Sequence, residues 1–483
     1  MNKLIIAALV PALFLGCSKS NQQNSLDYNA QHFFADIFSS QNASVITVLS
    51  ADNQPLAGAQ VLIGDAEGTP FTGNFLTADS DGQVALPAQW TTAQSVTVAA
   101  TGYVRTTYLE QQPGPLVFNL NKQPQTTQYE VTGSAQDLPI ANNDGFIDLA
   151  LNLPGLSKQD MMIFDLSNII SSQNDSISTL GQTLPIPSNI SLPNQSEKYL
   201  FLKVTLNKPV FRVYYTQPGM NRLYAVRARF PFKTVVDALR GGSNFLDILN
   251  TFTLSGGVAR DVTIAGAKTQ QDMPMTELNF TDKKTVAGPT LGSDEAFMVI
   301  GAFQQDGYMM PSDVKRLTSG ESISLNNLPN GDQYVLGVLK KSADFNDSSN
   351  DRMSTVLLPF TEGVAPQALP LIEAPTVSGN TLSLPSVASV SGVNALGTFV
   401  RLSAELKEPQ GATSVTVHYP VWEVYASGWI NQANIPQWPQ DQAISSSKRW
   451  EVSFIGSQTS SQSALGPAMM EAATHVTHNS VSF

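Results

Sequence analysis

The chain has 483 residues and a formal net charge of −12, from 27 basic against 39 acidic side chains. That balance argues against nucleic acid or a bare anionic bilayer as a partner, because both repel an acidic surface. One cysteine in the whole chain excludes a disulfide within the monomer. A charged fraction of only 14%, with abundant Ser, Thr, Asn, Gln, Gly and Pro, suits an extracytoplasmic β-protein with many turns. The expected fold class is mainly β: tandem antiparallel β-sandwich domains with a mixed α+β middle region.

The chain opens on Lys3, an apolar run from Leu4 to Gly16, and then its single cysteine, Cys17. A charged start, an apolar stretch and small residues before a cleavage point form the layout of a secretory signal. The run is about 13 residues long, whereas a spanning helix needs ~20. Phe14-Leu15-Gly16-Cys17 resembles the bacterial lipobox, although the family prefers Leu where this chain has Phe14. The resemblance implies that residues 1–16 are a signal peptide and that Cys17 is the site of lipidation and the new N-terminus. A covalent lipid on Cys17 is then the link to the membrane partner, and no other cofactor is implied. Each buried methylene of such a lipid is worth ~0.8 kcal/mol, so an anchor with several chains should release slowly. Ser18, in place of an Asp, resembles the default outer-membrane sorting signal and implies that location.

Residues 17–42 read as a polar tether followed by one short helix, with Phe34, Ile37 and Phe38 at helical spacing. Residues 43–122 read as short strands separated by turns. Val45, Thr47 and Leu49 alternate with Ile46, Val48 and Ser50; further strands cover Ala59–Ile63, Val84–Leu86 and Ser95–Ala100. Pro55-Leu56-Ala57-Gly58-Ala59-x-Val61, Thr77-Ala78-Asp79-x-Asp81-Gly82 and Ala100-Thr101-Gly102-Tyr103 follow in order. These pieces resemble the carboxypeptidase regulatory-like domain, a transthyretin-like sandwich of the carbohydrate-binding-like fold. The resemblance covers about 80 residues. It implies a self-contained sandwich and specifies fold better than function, because its motifs are turn chemistry.

Residues 123–290 form the mixed β-rich region. Phe201–Leu206 and Leu223–Arg227 are strand-like. Pro231 opens a helix whose face carries Val235, Val236 and Leu239 and which Gly241-Gly242 stops; Ser243 caps a second helical segment, Phe245 to Phe252. Asn168–Asn194, rich in Ser, Asn and Pro, reads as a long loop. Residues 291–370 return to sandwich style, with strands at Ala296–Gly301, Ser322–Leu325 and Tyr334–Leu339. Pro366–Pro375 reads as a linker. Residues 371–483 form a C-terminal sandwich with strands at Phe399–Ala404 and Trp450–Phe454.

Four tryptophans cluster near the C-terminus. Trp450 and Trp422 alternate with polar neighbours and read as core. Trp429 and Trp438 flank the loop Asn431–Pro436 and are the candidate stacking residues for a sugar ring or a protein partner; the competing reading is that they cover the end of the sandwich. Lys203, Lys208, Arg212, Arg222, Arg227, Arg229, Lys233 and Arg240 form a basic run with only Asp237 opposing. Arg227 and Arg229 share a strand face that either meets an external anion or pairs with the protein's own carboxylates. Two Asx-rich loops are weak calcium candidates. One holds Asp144 and Asp148, the other Asp344, Asp347 and Asp351. Neither loop supplies a full oxygen set; Asx-Gly turns explain the first as well, and a solvated hairpin the second.

Catalytic signatures are absent: there is no Gly-x-Ser-x-Gly elbow, zinc helix or phosphate-binding glycine loop. The pair His475-x-x-His478 would place its rings on opposite faces of a strand. The function expected is therefore a lipid-anchored cell-envelope protein that binds or scaffolds, with a glycan or an envelope protein as partner. The alternatives are an envelope hydrolase acting through two distant carboxylates on polysaccharide or peptide, and a structural subunit of a surface complex.

Overall fold

The computed structural model describes residues 45–65, 75–123, 129–138, 145–163, 175–179, 182–186, 190–191, 210–215, 218–241, 243, 245–345, 352–410, 413–438 and 448–482. The protein is mainly β, as the turn-rich composition implies. Cys17, the 34–38 helix, the 201–206 strand, Lys203, Lys208, Asp144, Asp347 and Asp351 lie outside the described residues.

The strand Val45–Ser50 turns Ile46 and Val48 inward and leaves Val45 and Thr47 half-buried, the period-two pattern read from sequence. It pairs with Gln83–Ala85 on one side and, in parallel, with Leu116–Leu120 on the other. The turn that leads into Gln83–Ala85 is set by Asp79, whose Oδ1 accepts from the backbone N–H groups of Asp81 and Gln83 at 2.9 and 2.8 Å. Gly82 completes that turn at φ +72°, and a Cβ there would lie 2.4 Å from the Val48 carbonyl.

The second layer of this first unit does not close on itself. Leu76–Thr77, Gln60–Ile63, Gln94–Ala99 and Arg105–Gln111 continue, edge to edge, into strands from the rest of the chain. The resulting 12-stranded sheet runs on through Thr413–Ser427, Asn394–Gln410, Lys448–Ser457 and His475–Ser482. It then takes in Met353–Pro359, Asp332–Lys341, Glu295–Gln305 and Tyr308–Leu317. One junction is parallel, Arg105–Gln111 against Thr413–Ser427; the other pairs are antiparallel. Strands from 43–122, 291–370 and 371–483 thus share this one sheet, while those of 129–279 lie in other sheets.

Smaller sheets cover this long one. Asp282–Ala287 with Ser322–Asn327 brings Val286 and Leu325 onto Phe297, Val299 and Val356. Thr376–Ser378, Thr381–Ser383 and Gln432–Asn434 bring Leu382 and Ala433 onto Val400, Trp422 and Trp450. Glu295–Gln305 is buried at eight consecutive positions, Ala296 to Phe303, because both its faces are covered.

The middle region is also a sandwich. Ile190–Ser191, Phe146–Pro154, Gly219–Pro231, Thr253–Ile264 and Leu278–Asn279 form one sheet. Val210–Tyr215, Tyr129–Gln136 and Lys268–Gln270 form the other, with Met273–Pro274 attached. Val131, Phe211, Leu223, Val258 and Ile264 meet between them. Its helices, Phe232–Arg240 and Phe245–Leu249, occur where the apolar spacing and Pro231 put them. A third helix, Lys158–Met162, was not read from sequence, although Ser157 and Asp160 form the capping box that starts it. The long loop expected over 168–194 contains a hairpin, Asp175–Thr179 with Gln182–Ile186. Its serines and threonines are compatible with strand structure as well as loop, which is why composition misread it.

The stretch Pro366–Pro375 is not a free linker. Leu369 and Ile372 are buried. Carbonyls of Gln367, Pro370 and Ile372 accept from His475 Nε2, Thr477 Oγ1 and Asn479 Nδ2 at 3.0, 2.9 and 2.8 Å. Those three donors are alternate residues of the last strand, so one polar strand face zips the stretch down. His478 points the other way, its Nδ1 2.9 Å from Ser453 Oγ. Because a carbonyl only accepts, His475 Nε2 carries the proton and Nδ1 accepts from Thr474 Oγ1 at 2.7 Å.

Arg105–Gln111, the sixth strand of the first unit, is half of the parallel junction, so residues 43–122 share a sheet with the C-terminal unit. An isolated 43–122 fragment should be β-rich by circular dichroism yet self-associate through the bared edge of Arg105–Gln111. Size-exclusion chromatography showing a stable monomer would contradict this.

Two buried groups give a paired pH prediction. Burial pushes His475 down to about 4, only partly offset by its bond to Gln367. An unfolded histidine titrates near ~6.5, so His475 contributes stability that is present above that pH and lost as pH falls through about 4. Burial pushes Asp160 up to about 6 although it accepts from Ser157 N and Oγ. Its contribution is present below ~3.9 and lost as pH rises through about 6. Each is worth up to roughly 3 kcal/mol, with opposite signs in the same window. Asp160→Asn should therefore melt at progressively lower temperature from pH 7 to 4.5, while His475→Gln should not. Parallel pH profiles for the two variants would refute the assignment.

Candidate functional site

Trp429 is fixed from three directions. The buried hydroxyl of Thr398 donates to the Gly428 carbonyl at 2.8 Å and accepts from the Ile430 N–H at 3.1 Å, gripping the chain on both sides of the indole. The indole N–H donates to the Ile455 carbonyl at 2.8 Å. The ring lies against Gly456, where a Cβ would stand 3.3 Å from Trp429 Cζ2. The indole is half-buried, and what remains open lines a cleft of about 730 Å³. That volume falls within the ~300–1,000 Å³ typical of small-ligand sites.

Phe454, buried, is part of the cleft wall; Asn431, Gln432, Asn434 and Glu110, all exposed, supply its polar groups. Gln432 Nε2 donates to Asn434 Oδ1 at 3.0 Å and Thr381 Oγ1 donates to the same oxygen at 3.2 Å. With its oxygen occupied, Asn434 offers its amide nitrogen as donor, and Gln432 offers its oxygen as acceptor. Among the described residues the Asn431 side chain and the Glu110 carboxylate make no hydrogen bond. The cleft thus combines one aromatic surface, donors and acceptors.

Glu110 enters from the first unit. Gln94 pairs with Gln111 and Val96 with Tyr108, so Ser95 alone faces both Leu109 and Glu110 across a β-bulge. Glu110 sits there at φ 53°, inside a strand. Among the described residues the other non-glycine positions with positive φ are Asn53, Asp137, Asp306 and Asn330, the residue types that tolerate it. No signal in the sequence marks Glu110, because a lone glutamate in a strand does not disclose a left-handed backbone.

Trp438 does not join this cleft, which corrects its pairing with Trp429. It is 6% exposed, its ring 4.6 Å from Phe75 and 4.7 Å from the Arg105 guanidinium. Arg105 also lies 4.5 Å from Trp422, so the cation stacks on both indoles. Its place beside a polar loop suggests exposure, yet nearby Pro436 is buried too.

Most described members of the basic run bond the protein's own groups. Arg229 pairs with the buried Asp148 at 3.1 Å, and Arg227 Nε donates to Ser255 Oγ at 2.9 Å. Arg222 pairs with Asp261 and Asp306, Arg212 with Glu130 and Lys233 with Asp237. The reading of a face for an external anion is corrected at Arg229, which an internal carboxylate takes, while Arg227 bonds a hydroxyl. The same pairing removes Asp148 as a calcium candidate, and Arg352 at 3.0 Å does so for Asp344. No three His, Cys, Asp or Glu side chains gather as a metal set among the described residues.

Two facing acids do occur, Glu423 and Glu451, on either side of Arg401. Arg401 reaches them at 3.4 and 3.7 Å, and Arg449 reaches Glu451 at 3.4 Å. All four are buried. Carboxylates held by guanidinium groups in a core are placed as ion pairs rather than as an acid and base around a substrate.

No protein-family model and no curated protein matches the chain. Among solved structures, BcpA, the major pilin subunit of Bacillus cereus, has 10% identity and a TM-score of 0.15, covering 61% of this chain and 87% of that one. A streptococcal ancillary pilin has 10% identity and a TM-score of 0.15, covering 72% and 96%. The pilus adhesin SpaC from Lactobacillus rhamnosus GG, in its open conformation, has 8% identity and a TM-score of 0.11, covering 92% and 55%. Among the described residues no helix is long and apolar enough to cross a membrane.

The two loop tryptophans should separate by melting. Trp438→Ala should cost ~3–5 kcal/mol, as truncation of a buried aromatic does. Trp429→Ala, at a half-open site, should cost less, about 1–2 kcal/mol. The reverse order of melting temperatures would contradict this assignment.

Proposed function

We propose that this chain is a lipid-anchored binding protein of the cell envelope that holds a glycan in the Trp429 cleft. The observation that carries the reading is an indole immobilised by Thr398 and Ile455 yet left half open among three amide side chains. An immobilised aromatic face suits a sugar ring, whose C–H surface stacks on it while its hydroxyls take mixed donors and acceptors. Anchoring rests on the lipobox-like Phe14–Cys17, with the outer membrane as the implied location. Residues 43–122 are proposed as a carboxypeptidase regulatory-like module. Their seven strands in two layers, with turns at Asp79–Gly82 and Gly102, support it. The guanidinium-locked state of Glu423 and Glu451 favours binding over hydrolysis.

Two experiments test this reading. Cys17→Ser should end incorporation of labelled fatty acid and shift the protein from the membrane to the soluble fraction; label that persists would remove the anchor. Soluble protein lacking residues 1–17, applied to a glycan array, should bind, and Trp429→Ala should lose that binding while still folded. Capture of a polypeptide with no glycan bound would replace the glycan by a protein partner.

A further inference from the structure

Glu110 is the one residue of the cleft whose backbone is strained. A left-handed glutamate costs about 1–2 kcal/mol relative to an ordinary strand conformation. Glycine would remove that cost at the same position. The bulge shifts the strand by one residue, and Glu110 so placed lines the same cleft as Trp429, Asn431 and Gln432. It has no hydrogen-bond or ion-pair partner among the described residues, in a chain whose other cleft amides are partly engaged with one another. Strained residues with no structural use for their side chain point to a ligand.

We propose that Glu110 determines the cleft's specificity, accepting hydrogen bonds from two neighbouring hydroxyls of a neutral sugar and repelling acidic ones. This rests on the glycan reading of the cleft. A carboxylate is an acceptor-only group with two oxygens, which fits a pair of hydroxyl donors. Hydrogen bonds to an ionised acceptor are about twice as strong as neutral ones. The same charge disfavours uronic, sialic or sulfated residues at that subsite, which is discrimination by repulsion. Asn434 Nδ2 as donor and Gln432 Oε1 as acceptor then serve hydroxyls further along, with the sugar ring against Trp429.

The test uses the soluble chain lacking residues 1–17, a panel of neutral and uronic-acid oligosaccharides, and calorimetry on those that bind. Wild type should prefer the neutral sugars. Glu110→Gln keeps the shape and removes the charge; it should weaken neutral binding about tenfold or more and narrow the gap to the acidic sugars. Glu110→Gly should raise the melting temperature by releasing the strain and should also weaken binding, a combination that a purely structural glutamate would not produce. Unchanged affinity and selectivity in Glu110→Gln, with binding lost in Trp429→Ala, would overturn this inference and leave the cleft reading standing. Binding unaffected by Trp429→Ala, or absent from the panel in wild type, would overturn both.

Discussion

The parallel pairing of Arg105–Gln111 with Thr413–Ser427 joins parts of the chain more than 300 residues apart, and the rest of the architecture depends on it. Its ladder is short: Arg105 to Tyr108 against Trp422 to Tyr425. Parallel pairs are somewhat less stable per residue than antiparallel ones, so side chains complete the junction. Trp422 Nε1 donates to Thr107 Oγ1 at 2.8 Å, and Thr107 Oγ1 lies 2.8 Å from Thr97 Oγ1. Arg105 fills the space between Trp422 and Trp438. Asn121, from the first unit, donates to Glu423 at 3.0 Å. Two sheet edges that would otherwise invite association are closed against each other. Leu62 and Leu109 of the first unit pack in the same core as Trp422 and Trp450 as a result.

On the opposite face of the same strands lies the buried charge network. Arg401 stands directly across from Glu423 on one neighbour and Glu451 on the other. Tyr425 donates to Glu423 at 3.1 Å; burial, with that charge beside it, pushes its phenol well above its ordinary range, so it stays a donor. Such a network is weak evidence for net stability, because desolvation offsets attraction. Its effect is on register. A slip of one residue in Asn394–Gln410 would turn Arg401 into the apolar layer of Val400, Val424 and Val452 and strand two carboxylates. The ion pairs therefore make the wrong pairings expensive while the tryptophan face rewards the right one.

What was legible in the sequence follows from how local each cause is. Strands at Val45–Ser50 and Lys448–Ser457, and the turn at Asp79–Gly82, announce themselves through alternation and Asx-Gly chemistry within a few residues. The helix at Phe232–Arg240 did so through Pro231 and its apolar spacing. The merging of separate sandwiches into one sheet was not legible, since nothing near Arg105 says that its partner is Trp422. Pro366–Pro375 looked like a linker because its bonds come from side chains of a distant strand. At the cleft, Trp429 was legible as an odd tryptophan beside a polar loop. Glu110 was not, because its distinguishing property is a backbone angle imposed by tertiary structure.

That angle connects the junction to the cleft. An isolated hairpin would relax a left-handed glutamate, because nothing else in it holds the bulge open. Here Tyr108, next but one to Glu110, is immobilised. It stacks on Phe118 at 4.0 Å, meets Tyr425 edge-on, and donates to the Leu465 carbonyl at 3.2 Å. On the other sheet face Leu109 is buried in the C-terminal core. With consecutive side chains pinned on opposite faces by residues from elsewhere in the chain, the next position has to absorb the mismatch of the two strands. The conformational cost at Glu110 is thus met by packing at the seam, and the cleft carboxylate exists in its place only because the first unit and the C-terminal unit share a sheet.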